Sequence, residues 1–203
     1  RIFQPSKRSL IFSKELSCID FFRKRVLDIG TGTGILAIVA AQNDAAIVLA
    51  TDINPAAIQT VKSLWNLNKF STKLQTRKTN GLKRLSGKFD IMLANPPMLP
   101  ILCCNPAHGK EAIGHHWNET GNGGRQIIDE LITLGPKLLN SGGKIIFSHS
   151  SRLGFEKTKK LMHQNRLDWK IIKQVKLKLE PRFKPFLKFW AKDPNKIFKS
   201  GND

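Results

Sequence analysis

The sequence predicts a doubly wound α/β fold on a seven-stranded mixed sheet, and three observations carry that expectation. Short β-rich apolar runs alternate with longer segments whose apolar residues recur at helical spacing, the signature of parallel strands joined by crossover helices. Turn signals punctuate the alternation, above all the glycines between 30 and 34 and the tandem Pro96-Pro97. Near the end, Lys176 and Lys178 alternate with Val175, Leu177 and Leu179, which reads as a strand of a closing antiparallel hairpin.

Taken in order, residues 1–24 form an N-terminal segment, and 25–203 are expected to be one domain, because 203 residues suffice for one sizeable core and not comfortably for two. Strands are predicted at 25–29, 47–51, 74–78, 89–94 and 143–149. Helices are predicted between and after them at 35–43, 55–66, 125–139 and 155–165, with Pro55 suited to a first helical turn and Asn54 to its cap. The hairpin would pair 169–179 with 186–191. The long irregular segment is 98–124, a length that in compact domains usually carries function.

Composition excludes several classes. Hydrophobic residues at 40% and charged residues at 24%, in periodic blocks, exclude wholesale disorder. The longest apolar run, 35–41, falls far short of the roughly 20 residues a membrane-spanning helix needs. No secretory leader opens the chain and three cysteines make no disulfide framework, so a cytoplasmic location is expected. Arg1 in place of an initiating Met leads us to expect residues upstream. The net charge of +19 favours a polyanionic partner such as RNA or ribonucleoprotein, or else reflects a Lys-rich solvated surface. It is concentrated: residues 151–203 hold 15 basic and 5 acidic side chains, which points to the basic C-terminal region as the contact.

The strand at 25–29 runs straight into Asp28-Ile29-Gly30-Thr31-Gly32-Thr33-Gly34 and then a helix. Glycines in such a turn let backbone approach a ligand closely. Their spacing is G-x-G-x-G rather than the dinucleotide G-x-G-x-x-G, although a plain nucleotide-binding domain remains an alternative. This loop resembles motif I of the class I S-adenosylmethionine (SAM)-dependent methyltransferases. The resemblance implies a Rossmann-like fold, SAM as cofactor, Gly30, Thr31, Gly32 and Gly34 around its aminocarboxypropyl end, and Asp28 facing its ammonium group. Asp52, closing the second strand, can accept from both ribose hydroxyls, with Ile53 beside it as a further cofactor contact. Asn80, after the third strand, stands where the family often has an acidic residue near the adenine amine.

Asn95-Pro96-Pro97-Met98 closes the apolar strand at 89–94. An amide or aromatic amine nitrogen is a poor nucleophile because its lone pair is delocalised. Two acceptors aimed at its hydrogens orient it and support the charge that develops as a methyl group arrives. Asn95 offers a side-chain carbonyl and Pro96 a backbone carbonyl, on a turn the two prolines stiffen. The tetrad after a SAM-type loop resembles the N-P-P-Y/F methyltransferases, which include adenine- and guanine-amine methylases and HemK-type enzymes that methylate a release-factor glutamine. Asn95 is then both catalytic and in contact with cofactor. Met98 replaces the aromatic that stacks on the acceptor, a substitution that favours a small amide over a splayed-out base. Flanking segments extend the resemblance to the HemK-type enzymes: 2–6 with Ser9-Leu10, then Trp117, Gly123-Gly124-Arg125 and 128–131. A protein glutamine, as in a translation release factor, is the leading acceptor. An RNA adenine N6 or guanine N2 is second, and a non-catalytic SAM- or RNA-binding module third.

Other features carry less. Cys103-Cys104, His108, His115 and His116 match no standard zinc spacing, and no metal is expected. Ser148-His149-Ser150-Ser151 lacks the glycines of a nucleophile elbow, and reads as a strand end beside the SAM site. Lys157, Lys159 and Lys160 suit a solvated helix face.

Overall fold

Five strands form a wholly parallel sheet in the computed structural model, which describes residues 5–98 and 124–177. In chain order the elements are α1 (Lys7–Leu16), β1 (Arg25–Ile29), α2 (Ile35–Gln42), β2 (Ile47–Asp52), α3 (Pro55–Asn68), β3 (Lys73–Lys78), β4 (Phe89–Ala94), α4 (Gln126–Thr133), β5 (Leu139–Phe147) and α5 (Phe155–Gln164). Short 3-10 turns precede β5 at Gly135–Leu138 and α5 at Ser151–Leu153. The sheet order is β3-β2-β1-β4-β5, so the chain winds outward from β1 first to one side and then to the other. Such a reversal creates the crevice at the carboxyl ends of the strands where doubly wound folds bind ligands.

The chain divides into two compact units, one of Arg1–Pro96 with Ile127–Ser148, the other of Pro97–Gln126 with His149–Asp203. The first holds the sheet. Alternation along β1, β2 and β4 sends Val26, Val48, Ala50, Ile91 and Leu93 into one core with Leu36 and Ala40 of α2, Val61 and Trp65 of α3 and Leu16 of α1. Leu27, Ile29, Leu49, Met92 and Ala94 enter the other with Leu131 of α4. Burial on both faces explains why β1, β2 and β4 read as nearly continuous apolar runs. In the second unit, His149 Nε2 lies 2.9 Å from Thr158 Oγ1, and the Phe155 and Trp169 rings meet edge to face at 5.8 Å.

The local expectations hold for the parallel strands and their helices, with end shifts of a few residues. Asn54 caps α3 through its Oδ1, which accepts from the Ala56 amide at 3.0 Å. The helix expected at 125–139 ends at Thr133, because Gly135-Pro136 turns the chain into a 3-10 segment. Strand β5 starts at Leu139, through the Gly142-Gly143 pair that reads as a turn, since a register irregularity sets five residues of β5 against two of β4.

The seven-stranded mixed sheet is corrected to five parallel strands among the described residues. Residues 169–177 form no strand. Ile171, Ile172, Val175 and Leu177 are all exposed, and alternation cannot make a strand without a hydrogen-bonded neighbour. The other half of the hairpin, 186–191, and nearly all of 98–124, with Cys103, Cys104, His108, His115, His116 and Trp117, lie outside the described residues. Among the described residues no helix is long and apolar enough to cross a membrane, and no group of three His, Cys, Asp or Glu is placed to hold a metal.

Candidate functional site

Parallel strands end on one edge of the sheet, and Asp28 and Asp52 lie in the last residues of β1 and β2 there, with the glycine loop and Asn95 just beyond β1 and β4. Ile29 and Ala94 are register partners, so the loop after β1 and Asn95 after β4 emerge side by side. Ile29 also faces Thr51, which brings Asp52 against the same loop from the other side.

The loop is held from beneath. The Thr31 amide donates to the Thr51 carbonyl at 2.8 Å, and the Gly34 amide to the Thr31 carbonyl at 2.8 Å. Gly30, Gly32 and Gly34 all have positive φ, at 67°, 55° and 82°. Their missing side chains serve different ends. At Gly34 a Cβ would lie 2.9 Å from Val61 Cγ2, so this glycine lets α2 and α3 pack. Among the described residues, a Cβ at Gly30 would meet nothing within 4 Å, and one at Gly32 only the Gly30 carbonyl at 3.9 Å. That leaves open space over the loop.

Asp28 lies beneath it, wholly buried. Thr31 Oγ1 donates to its Oδ2 at 2.6 Å, while Oδ1 has no hydrogen-bond partner among the described residues. Burial pushes this carboxyl up to about 7, opposed by the Thr31 hydroxyl, which lowers it, and reinforced by the Asp52 carboxylate, which raises it. A buried oxygen without a partner is costly, and a cationic or N–H-bearing ligand is the chemistry that relieves it. Open glycines above an orphaned carboxylate oxygen fit the amino-acid end of SAM.

Asp52 takes the Gly32 amide on Oδ2 and the Asn54 amide on Oδ1, both at 2.8 Å. A carboxylate has about four lone-pair sites, so two remain for a ligand's hydroxyls. Ile53 beside it is half-buried. The Thr79 amide donates to the Asp52 carbonyl at 3.0 Å, which ties the turn after β3 to the end of β2. Asn80 is exposed on that turn. Glu130 of α4 braces the turn from below by accepting the Leu82 amide at 2.8 Å.

Asn95 and Pro97 are half-buried, whereas Pro96 and Met98 are buried, Met98 at 3% exposure. The second compact unit begins at Pro97. Asn95 Oδ1 accepts from Ser148 Oγ at 2.6 Å, and Asn95 Nδ2 donates to Ser9 Oγ at 2.9 Å. The sequence set Ser148 at a strand end beside the cofactor site and Ser9 and Glu130 in flanking segments, but not the contacts they make. Ser9 precedes Asn95 by 86 positions and Ser148 follows it by 53, so no local pattern links them.

Three comparisons with known proteins bear on this arrangement. Residues 14–103 match the family model Ribosomal protein L11 methyltransferase (PrmA). A putative protein N5-glutamine methyltransferase of Methanocaldococcus jannaschii is 32% identical over 160 residues, covering 77% of this chain and 76% of that one. The ribosomal protein L11 methyltransferase of Lactobacillus acidophilus is 34% identical over 140 residues, 69% of this chain, though the match spans only 36% of that protein's length. Among solved structures, the ribosomal protein L11 methylase of Lactobacillus delbrueckii subsp. bulgaricus superposes with a TM-score of 0.60 at 25% identity, covering 81% of this chain and 70% of that one.

Proposed function

Because the chain belongs to the class I SAM-dependent methyltransferases, an enzyme family whose cofactor is SAM, we propose that it methylates a planar amide nitrogen, the side chain of a glutamine in a protein such as a translation release factor. SAM brings an electrophilic methyl group together with its own leaving group. The chain's residues then need only hold and orient. Asp28 and the open glycine loop receive the amino-acid end, Asp52 the ribose, and Asn80 with Ile53 the adenine side. Asn95 Oδ1 and the Pro96 carbonyl receive the acceptor's N–H hydrogens and support the charge that grows on nitrogen. The observation that carries this reading is the pairing of Ile29 with Ala94, which sets Asn95 beside the cofactor loop.

Incubating the protein with radiolabelled SAM and separated protein and RNA fractions tests it. Label is expected in protein, released as methylamine when the amide is hydrolysed. Label in RNA would transfer the reading to a base amine, which the +19 charge favours.

Two properties of cofactor binding follow. Asp52→Ala removes the ribose acceptors and frees the Gly32 amide, so SAM affinity should fall by roughly ten- to a hundredfold, with most of the rate recovered at saturating SAM. A rate that stays low at saturation would remove Asp52 from the ribose role. The second property is pH dependence. Asp28 loses its charge below about 7, so its attraction for the SAM ammonium weakens as pH falls, by up to about tenfold per unit, and Asp28→Asn should bind weakly with a flat profile. For the unliganded fold the sign reverses. The raised value makes Asp28's contribution to stability full below 3.8 and lost as pH rises through about 7. Calorimetry of SAM binding across this range reads the first effect and thermal unfolding of the unliganded protein the second.

A further inference from the structure

We propose that Ser148 is a positioning residue for methyl transfer, which together with Ser9 fixes the end of the Asn95 side-chain amide that faces the acceptor. The proposal rests on the reading of Asn95 as the residue that receives the acceptor nitrogen. Ser148 lies one residue beyond β5, where its amide donates to the Ala94 carbonyl at 3.1 Å and so extends the pairing of β4 with β5. That continuation places its hydroxyl 2.6 Å from Asn95 Oδ1.

The other serine meets the opposite end of the Asn95 amide, whose Nδ2 donates to Ser9 Oγ at 2.9 Å. Ser9 Oγ accepts the Ser6 amide at 3.4 Å within the capping box of α1, and it lies 3.1 Å from Ser6 Oγ. A hydroxyl has one proton and two lone pairs. Either hydroxyl can donate in that contact; when Ser9 gives its proton to Ser6, with one lone pair taken by the Ser6 amide, Ser9 has only an acceptor left for Asn95. The NH2 end of the amide is placed there at 2.9 Å, and Oδ1 faces Ser148. Ser148 occupies one of the two lone pairs on Oδ1 and leaves the other for an incoming N–H. Were the amide reversed, its own N–H would oppose the acceptor's hydrogens. The clamp therefore selects an acceptor atom that carries hydrogen, as the nitrogen of a primary amide does.

The test compares Ser148→Thr with Ser148→Val, near-isosteres that differ in the hydroxyl alone, in SAM-saturated protein labelled with 15N-asparagine. The side-chain NH2 resonances of Asn95, assigned by their loss in Asn95→Ala, should exchange with solvent about tenfold faster in the Val variant and at the wild-type rate in the Thr variant. Single-turnover methylation of the protein fraction of a cell extract should fall about tenfold in the Val variant, with SAM affinity unchanged, and recover in the Thr variant. A role in packing alone would move both variants equally, and that result overturns the proposal. Wild-type exchange and transfer in the Val variant also overturn it. If Asn95→Ala itself transfers at the wild-type rate, the reading of Asn95 fails, while the exchange data still report on the clamp.

Discussion

Asn95→Ala is expected to slow methyl transfer at saturating SAM by roughly a hundred- to a thousandfold while leaving cofactor affinity near wild type. In the proposed reaction the side chain meets the acceptor nitrogen where charge develops, and deleting one preorganised group at such a place removes stabilisation realised mainly in the transition state. Asn95 is held for this in advance. Its Oδ1 and Nδ2 are fixed by Ser148 and Ser9, so little reorientation is needed when the acceptor arrives. Asn95→Asp refines the test. It keeps an oxygen toward Ser148 but turns a second oxygen toward Ser9, where the wild-type side chain donates, and it sets a negative charge near the sulfonium. SAM should still bind, and transfer should be slower than wild type because the charge favours the reactant over the charge-dispersed transition state. Single-turnover kinetics on the labelled acceptor fraction reads both variants. A wild-type rate in Asn95→Ala would reduce Asn95-Pro96-Pro97 to a strand-ending turn.

Gly32→Val should abolish SAM binding, a loss of at least roughly a hundredfold, in a protein that still folds. Gly32 is the right glycine for the purpose. Its Cβ would project into open space among the described residues, with the Gly30 carbonyl 3.9 Å away, so a side chain begins there without a close contact and extends toward the volume proposed for the cofactor. Its φ of 55° is left-handed, which costs a non-glycine residue about 1–2 kcal/mol, a strain a folded domain of this size tolerates. The Gly34 position would not discriminate, because a side chain there strikes Val61 and disturbs the packing of α2 on α3. Titration calorimetry gives the affinity and thermal unfolding verifies the fold. Undiminished affinity in folded Gly32→Val protein would place the cofactor elsewhere.

The sequence by itself determined whatever depends on neighbours along the chain. Period-two and helical patterns located the five parallel strands and most of the helices that cover them, Asn54-Pro55 marked the start of α3, and the glycine spacing marked the turn after β1 that we propose for the cofactor. The same locality explains the errors. Val175, Lys176 and Leu177 alternate as a strand should, yet a strand exists only when a second chain segment satisfies its amides and carbonyls, and no residue pattern within the segment reports that partner. α1 was passed over because its apolar stripe is weak, although Ser6 and Ser9 form its capping box. Only the tertiary structure decided why Gly34 must be glycine, that Glu130 braces the turn after β3, and that Ser9 and Ser148 hold Asn95. Each of these is a contact between residues far apart in the chain, set by the register of β1, β2, β4 and β5, and register is fixed by the whole core packing at once rather than by any one segment.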